Sequence, residues 1–140
     1  TWLVADIYDG DWIAEEGARA GWPPETMAKN EQTTEAQREG FRRAVAAGAR
    51  IAFGTDSGVY PHGRNAIQFG YQVRHGQTPL EAIRSATTSA AALMDWSDRV
   101  GSLRPGRFAD LVVLPGDPLA DIDLLREPTA VWVGGAPATG

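Results

Sequence analysis

The sequence predicts an α/β fold in which two β/α units share a parallel sheet and a small β region follows. Three observations carry this. Trp2 to Tyr8 and Ile51 to Thr55 are short, nearly continuous apolar runs of strand formers, the pattern of strands covered on both faces, as in a parallel sheet. Segments with apolar residues at helical spacing lie between and after them, so strands and helices alternate. After Trp96 the chain changes to short strands punctuated by Pro and Gly turns.

Taken in order, Asp9-Gly10-Asp11 ends the first strand. Asp11 is placed to cap a short helix through Ile13, Ala14 and Ala18 that stops near Gly21. Pro23-Pro24-Glu25 puts proline and an acid where a helix starts. Phe41, Ala44 and Val45 share a helical face and Gly48 marks a stop, so Pro24 to Ala47 reads as one long helix, frayed around Thr33-Thr34. Ile51 to Thr55 is the second strand. Ala66, Phe69, Gly70 and Val73 then recur at i, i+3, i+4, i+7 and predict a helix to about His75. Thr78-Pro79-Leu80-Glu81 combines a capping box with proline at the first helical position, and Leu80, Ile83 and Ala86-Thr87 are expected inward. A short helix follows around Ala90 to Met94. Leu111 to Leu114 and Val131 to Val133 read as strands, Ile122 to Leu125 as a helical turn, and Ala136 to Gly140 as a frayed tail. Trp2, Trp96 and Trp132 stand in apolar surroundings and read as packing residues.

Composition narrows the function classes. At 140 residues, 43% hydrophobic and 22% charged, one packed core is possible in principle. A net charge of -5 argues against a nucleic-acid partner, which needs clustered Lys and Arg. The absence of Cys removes disulfides, thiol nucleophiles and thiolate zinc sites together. No stretch approaches the ~20 apolar residues of a membrane span. Thr1-Trp2-Leu3-Val4-Ala5 begins inside a strand-like run, as expected of a chain cut from a longer one.

Gly54-Thr55-Asp56-Ser57-Gly58 carries the most chemical information. In parallel β/α folds, functional residues gather at the C-terminal ends of strands, and Asp56 stands at that point. A carboxylate there can bind a divalent metal or exchange a proton with water; Asp and Gly are equally the ordinary residues of a turn. His62, in Pro61-His62-Gly63-Arg64-Asn65, is a hydrogen-bond partner, a substrate contact, a metal ligand or simply a loop residue. Arg64 and Asn65 either grip a substrate carboxylate or cap the next helix. His75, in a last helical turn, reads as structural. Asp6, Tyr8 and Asp9 end the first strand. Alternation sets Asp6 and Tyr8 on one side, with Ile7 and Asp9 on the other, so Tyr8 is a candidate substrate contact. No Ser–His–Asp elbow and no phosphate-cradling glycine loop is present.

The run Gly48-Ala49-Arg50-Ile51-Ala52-Phe53-Gly54-Thr55-Asp56-Ser57-Gly58, followed by Pro61-His62-Gly63-Arg64-Asn65, resembles the last barrel strand and loop of the metal-dependent amidohydrolase superfamily. The likeness is to its imidazolonepropionase and Xaa-Pro dipeptidase branch. Pro79-Leu80-Glu81-Ala82-Ile83, Gly101-Ser102-Leu103, Pro105-Gly106-Arg107-Phe108-Ala109-Asp110-Leu111-Val112 and Gly116-Asp117-Pro118-Leu119 continue it in order.

The resemblance implies the C-terminal part of a (β/α)8 TIM barrel plus part of a small β-sandwich. Residues 1–98 would hold strands seven and eight with their helices, and residues 99–140 the segment returning to the sandwich. It implies a divalent metal, zinc in one or two ions, with Asp56 as ligand and as the group that takes a proton from the hydrolytic water and passes it to the leaving nitrogen. His62 and Asn65 would face the substrate, with Arg64 and Tyr8 as further contacts. The expected partners are a small-molecule substrate, the remainder of the barrel on the same or a companion chain, and a second copy in a homo-oligomer, with no nucleic acid and no membrane. The expected compartment is the cytoplasm.

Against the family pattern, the His-x-His pair, the bridging lysine and the further metal-binding histidines are missing from this chain, and a barrel needs about 250 residues. The expected function is therefore that of a portion of a hydrolase cleaving C–N bonds in dipeptides or N-acyl amino acids, inactive by itself. Deamination of a heterocycle on the same barrel, or a non-catalytic docking fragment, are the alternatives.

Overall fold

Two apolar segments run side by side at the centre of the N-terminal part. In the computed structural model, which describes residues 1–138, β1 (Leu3–Ala5) and β2 (Ile51–Phe53) pair in parallel, with Leu3 opposite Ile51 and Ala5 opposite Phe53. The Leu3 amide donates to the Arg50 carbonyl at 2.9 Å just below the pair. Both strands are shorter than the apolar runs suggest. β1 stops because Tyr8 takes helical backbone angles (φ -99°, ψ -36°) and leads directly into α1 (Asp9–Ala20). The expected alternation therefore fails after Asp6: Ile7 and Tyr8 are both buried.

α1 starts two residues before the expected cap, placing Asp9 and Asp11 in its first turn and Arg19 in its last, each complementing the helix dipole. Gly21 closes it at φ 68°, a left-handed angle that glycine takes without steric cost. α2 (Pro24–Ala46) is continuous through Thr33-Thr34 rather than frayed. The reason is packing. Thr34 is buried against Gly10 of α1, where any Cβ would collide with the Thr34 side chain.

α3 (Ile67–Arg74) is the helix expected there, and it buries a face that apolar periodicity does not mark. Its buried residues are Gln68, Tyr71 and Gln72, not the apolar set Ala66, Phe69, Gly70 and Val73. Gln68 is buried because its amide serves strand backbone: Nε2 donates to the Ala5 carbonyl at 2.8 Å, and Oε1 accepts from the Ile7 amide at 3.1 Å. The Ser85 hydroxyl reaches Oε1 of Gln72 at 3.2 Å. Paired at both ends, the Gln68 amide loses little against water, whereas Nε2 of Gln72 is buried without a partner among the described residues.

α4 (Pro79–Ala86) has the expected capping box. The Glu81 amide donates to Thr78 Oγ1 at 3.2 Å and the Thr78 amide to Glu81 Oε2 at 2.7 Å. Its buried residues are the small Ala82 and Ser85, while Leu80 is exposed; the close approach to β2 admits only small side chains. α5 (Thr88–Leu93) follows directly. The core is built from Ala5, Ile7, Tyr8, Phe41, Ile51, Tyr60 and Tyr71.

The C-terminal region forms its own antiparallel sheet of β3 (Leu111–Val113), β4 (Ala130–Val133) and β5 (Ala136–Pro137), with Trp132 opposite both Leu111 and Pro137. A 3-10 helix, Ile122–Arg126, precedes β4. Ala136 and Pro137 are thus strand residues rather than part of a frayed tail; the rest of that expectation, at Thr139 and Gly140, lies outside the described residues. An apolar groove of about 540 Å³ separates this sheet from α4 and α5, lined by Ala90, Met94, Leu111 and Trp132 among others. Of the packing tryptophans, Trp96 is exposed. No helix among the described residues is long and apolar enough to cross a membrane.

Candidate active site

The parallel pairing brings the ends of β1 and β2 to one rim, so Asp6, Asp9 and Asp56 share it. Asp56 lies three residues beyond β2, is exposed, and holds φ at 44°. That left-handed angle is open to Asp and Asn more readily than to other non-glycine residues. Its carbonyl accepts from the Val59 amide at 3.2 Å, and the Gly58 amide donates to the Tyr60 carbonyl at 3.3 Å, so the loop turns back on itself.

Side chains brace the same loop. Asn65 Nδ2 donates to Thr55 Oγ1 at 3.2 Å, while Asn65 Oδ1 accepts from the Gly63 amide at 3.2 Å. Nδ1 of His62 lies 3.1 Å from the Ser57 hydroxyl. His62 is exposed beside Asp56's neighbour, in keeping with a face open to solvent. Asn65 does not cap α3, whose N-terminal position is Ala66 without a side-chain cap. Arg64 is drawn aside, its guanidinium 4.8 Å from the centroid of the Trp12 ring, a cation–π contact.

Tyr8 corrects the expected rim position. It is 7% exposed, and its ring is enclosed by Tyr60 at 4.9 Å and Tyr71 at 5.2 Å between centroids. The ring is thus packed in the core rather than presented at the rim. Sequence reasoning missed Tyr60, which is buried and anchors the loop after Asp56; its signal was an aromatic residue set directly before Pro61. Asp11 is not a cap but an acceptor, bridging Arg38 at 2.7 Å and the Tyr71 hydroxyl. His75 closes α3, its Nδ1 3.0 Å from Arg42 Nη1. Burial, with Arg38, Arg42 and Arg74 nearby, holds its pKa below the ordinary histidine value.

The electrostatics of the rim are those of crowded carboxylates. Burial pushes the Asp6 carboxyl up, and the charge of Asp56 adds to this; one Asp6 oxygen accepts from Gln37 Nε2 at 3.0 Å. Asp9 is raised by burial and by Asp6, and its Oδ1 is buried without a hydrogen-bond partner among the described residues. Among those same residues, no three His, Asp or Glu side chains converge closely enough to hold a metal ion. A catalytic zinc takes about three protein ligands, so this donor set does not fit such a metal without ligands from elsewhere.

The profile of the Amidohydrolase family matches residues 1–137. This chain belongs to the amidohydrolase family. Ochratoxinase of Aspergillus niger is 38% identical over 120 residues, covering 82% of this chain and 25% of that protein. Imidazolonepropionase of Streptomyces griseus subsp. griseus is 36% identical over 140 aligned residues, 94% of this chain and 30% of that protein. Among solved structures, a Xaa-Pro dipeptidase with bound methionine superposes with a TM-score of 0.88 at 35% identity, over all of this chain and 35% of the other. Crystalline Aspergillus niger ochratoxinase gives 0.82 at 33% identity, over 99% of this chain and 32% of the other. The amidohydrolase chain therefore spans about a third or less of the length of these relatives.

Proposed function

We propose that this chain supplies the last two β/α units and part of the small β-sandwich of a (β/α)8 amidohydrolase that hydrolyses C–N bonds in small molecules. The favoured substrates are Xaa-Pro dipeptides and N-acyl amino acids. The observation that carries this reading is Asp56, an exposed carboxylate on the loop after β2, held in left-handed backbone and braced by the Thr55–Asn65 contact.

In this reading the Asp56 carboxylate accepts a proton from the water whose oxygen attacks the carbonyl carbon. It returns that proton to the leaving nitrogen as the C–N bond breaks, so the group ends as it began. His62 and Asn65 face the substrate, with Arg64 at the edge. Asp56 would also be one ligand of a divalent metal, zinc for preference, whose other ligands come from the remainder of the barrel. The likeness to a Xaa-Pro dipeptidase at 35% identity supports the peptide reading.

The test is a panel assay of the complete hydrolase with Xaa-Pro dipeptides, N-acyl amino acids and heterocyclic bases. Release of a free amino acid is expected. Ammonia release from a base would move the assignment to a deaminase, and turnover undiminished in Asp56→Asn would remove Asp56 from the reaction.

A further inference from the structure

The pairing of β1 with β2 ends at Ala5 and Phe53, yet the backbone beyond it is not left unpaired. Gln68, fully buried on α3, takes the place of a neighbouring strand: its amide bonds to the Ala5 carbonyl and the Ile7 amide, the two groups that flank Asp6. Arg38 completes the ladder by donating to the Ile7 carbonyl at 3.3 and 3.2 Å through Nε and Nη2. A fully buried side-chain amide with both ends used on one backbone segment leaves that segment a single position.

The Asp56 loop rests on this segment at both of its ends. Before Asp56, Gly54 lies so close that a Cβ there would stand 2.7 Å from Val4 Cγ1 and 3.4 Å from the Ala5 carbonyl oxygen. After Asp56, the ring of Tyr60 packs edge-on to Tyr8. α3 also touches the loop's approach, with Phe69 4.4 Å from Phe53 between ring centroids. The backbone that supports Asp56 is thus the backbone that Gln68 holds.

We propose that Gln68 is a positioning residue for the Asp56 loop, acting through the Ala5–Tyr8 segment without touching substrate. The proposal rests on the hydrolase reading above. A misplacement of about an ångström at a reacting group costs up to ~100-fold in rate, so the position of this segment bears on turnover.

The test uses the complete hydrolase with Gln68→Leu, which removes both bonds, and Gln68→Glu, whose carboxylate keeps the acceptor for Ile7 and lacks the donor for Ala5. Amide hydrogen exchange and kcat per folded molecule, on whichever panel substrate is turned over, are measured together. In Gln68→Leu the amides of Ile7, Gly58 and Val59 are expected to exchange at least about tenfold faster while those of α2 and α4 keep the wild-type rate. In the same variant kcat falls about tenfold or more with KM within about threefold, and Gln68→Glu is intermediate. Faster exchange at Ile7 alone, with loop exchange and kcat unchanged, overturns the proposal. So does a uniform acceleration across all amides, or failure of both variants to fold, since Gln68 would then serve stability alone. If the wild type turns over nothing in the panel, the hydrolase reading fails, and the exchange pattern still decides whether Gln68 governs the loop.

Discussion

Tyr8 and Tyr60 meet edge to face, their ring centroids 4.9 Å apart and their planes at 68°, so the end of β1 and the loop after Asp56 are joined by an aromatic pair. Burial pushes the Tyr60 hydroxyl's pKa up, with Thr55 beside it pulling the other way, and among the described residues no hydrogen bond of good geometry satisfies that buried hydroxyl. Tyr60→Phe keeps the ring contact and removes the unpaired group, so thermal denaturation should show unchanged or raised stability. Tyr60→Ala opens a cavity and should cost about 3–5 kcal/mol.

Asp56 carries two separable burdens, a charge and a backbone angle. Asp56→Asn keeps the left-handed conformation accessible and should abolish turnover with an unchanged melting temperature. Asp56→Ala should abolish turnover and also lose about 1–2 kcal/mol, because alanine pays the full steric cost at φ 44°. A comparison of the two melting curves checks this, and equal stabilities would contradict it.

Asp6 and Asp9 both have pKa values raised above the ordinary 3.8, burial being the larger cause in each. A raised folded-state pKa means that the folded protein binds the proton more tightly. The associated stability is complete below the unfolded value and is lost as pH rises through the folded one. Asp9→Asn should therefore raise the melting temperature at neutral pH, and the gain should fade as pH falls through the raised folded value and be gone below the ordinary 3.8. A gain that grew on acidification would reverse the sign of this account.

Gly10 sits where α1 and α2 come closest. Gly10→Ala should destabilise by about 1–3 kcal/mol because its methyl meets the Thr34 side chain. Gly10→Ala combined with Thr34→Ala should recover part of the loss, and additive losses in the double-mutant cycle would place the strain elsewhere.

Much of the architecture was legible because it rests on local chemistry. The Thr78–Glu81 capping box, the glycine stop at Gly21 and the carboxylate after an apolar strand are signals contained within a few residues. The buried face of α3 was not legible, because periodicity scores count apolar side chains and the residues that turn inward are Gln68 and Gln72. What makes a glutamine a core residue is a free backbone carbonyl and amide some sixty positions away, as Gln68 finds at Ala5 and Ile7. Tyr8 escaped for a related reason: alternation assumes an extended backbone, and the turn into α1 rotates its ring inward. The contact of Ser57 with His62 and that of Thr55 with Asn65 depend on how one loop folds back, which spacing alone does not show.

The two sheets differ in how much chain must be ordered before they can form. β4 and β5 are joined by Gly134-Gly135 alone, and β3 meets β4 across residues 114–129, a stretch that holds the 3-10 helix yet is shorter than the chain between β1 and β2, so their loop-closure entropies are the smaller ones. β1 and β2 are parallel and are separated in the chain by all of α1 and α2, a pairing of high contact order. The C-terminal sheet can therefore assemble while the rim carrying Asp6 and Asp56 is still open. Pulse-labelled exchange should find Leu111–Val113 protected before Ile51–Phe53. The carboxylate at the centre of the proposed chemistry is, on this ordering, among the last groups the folding chain brings to its place.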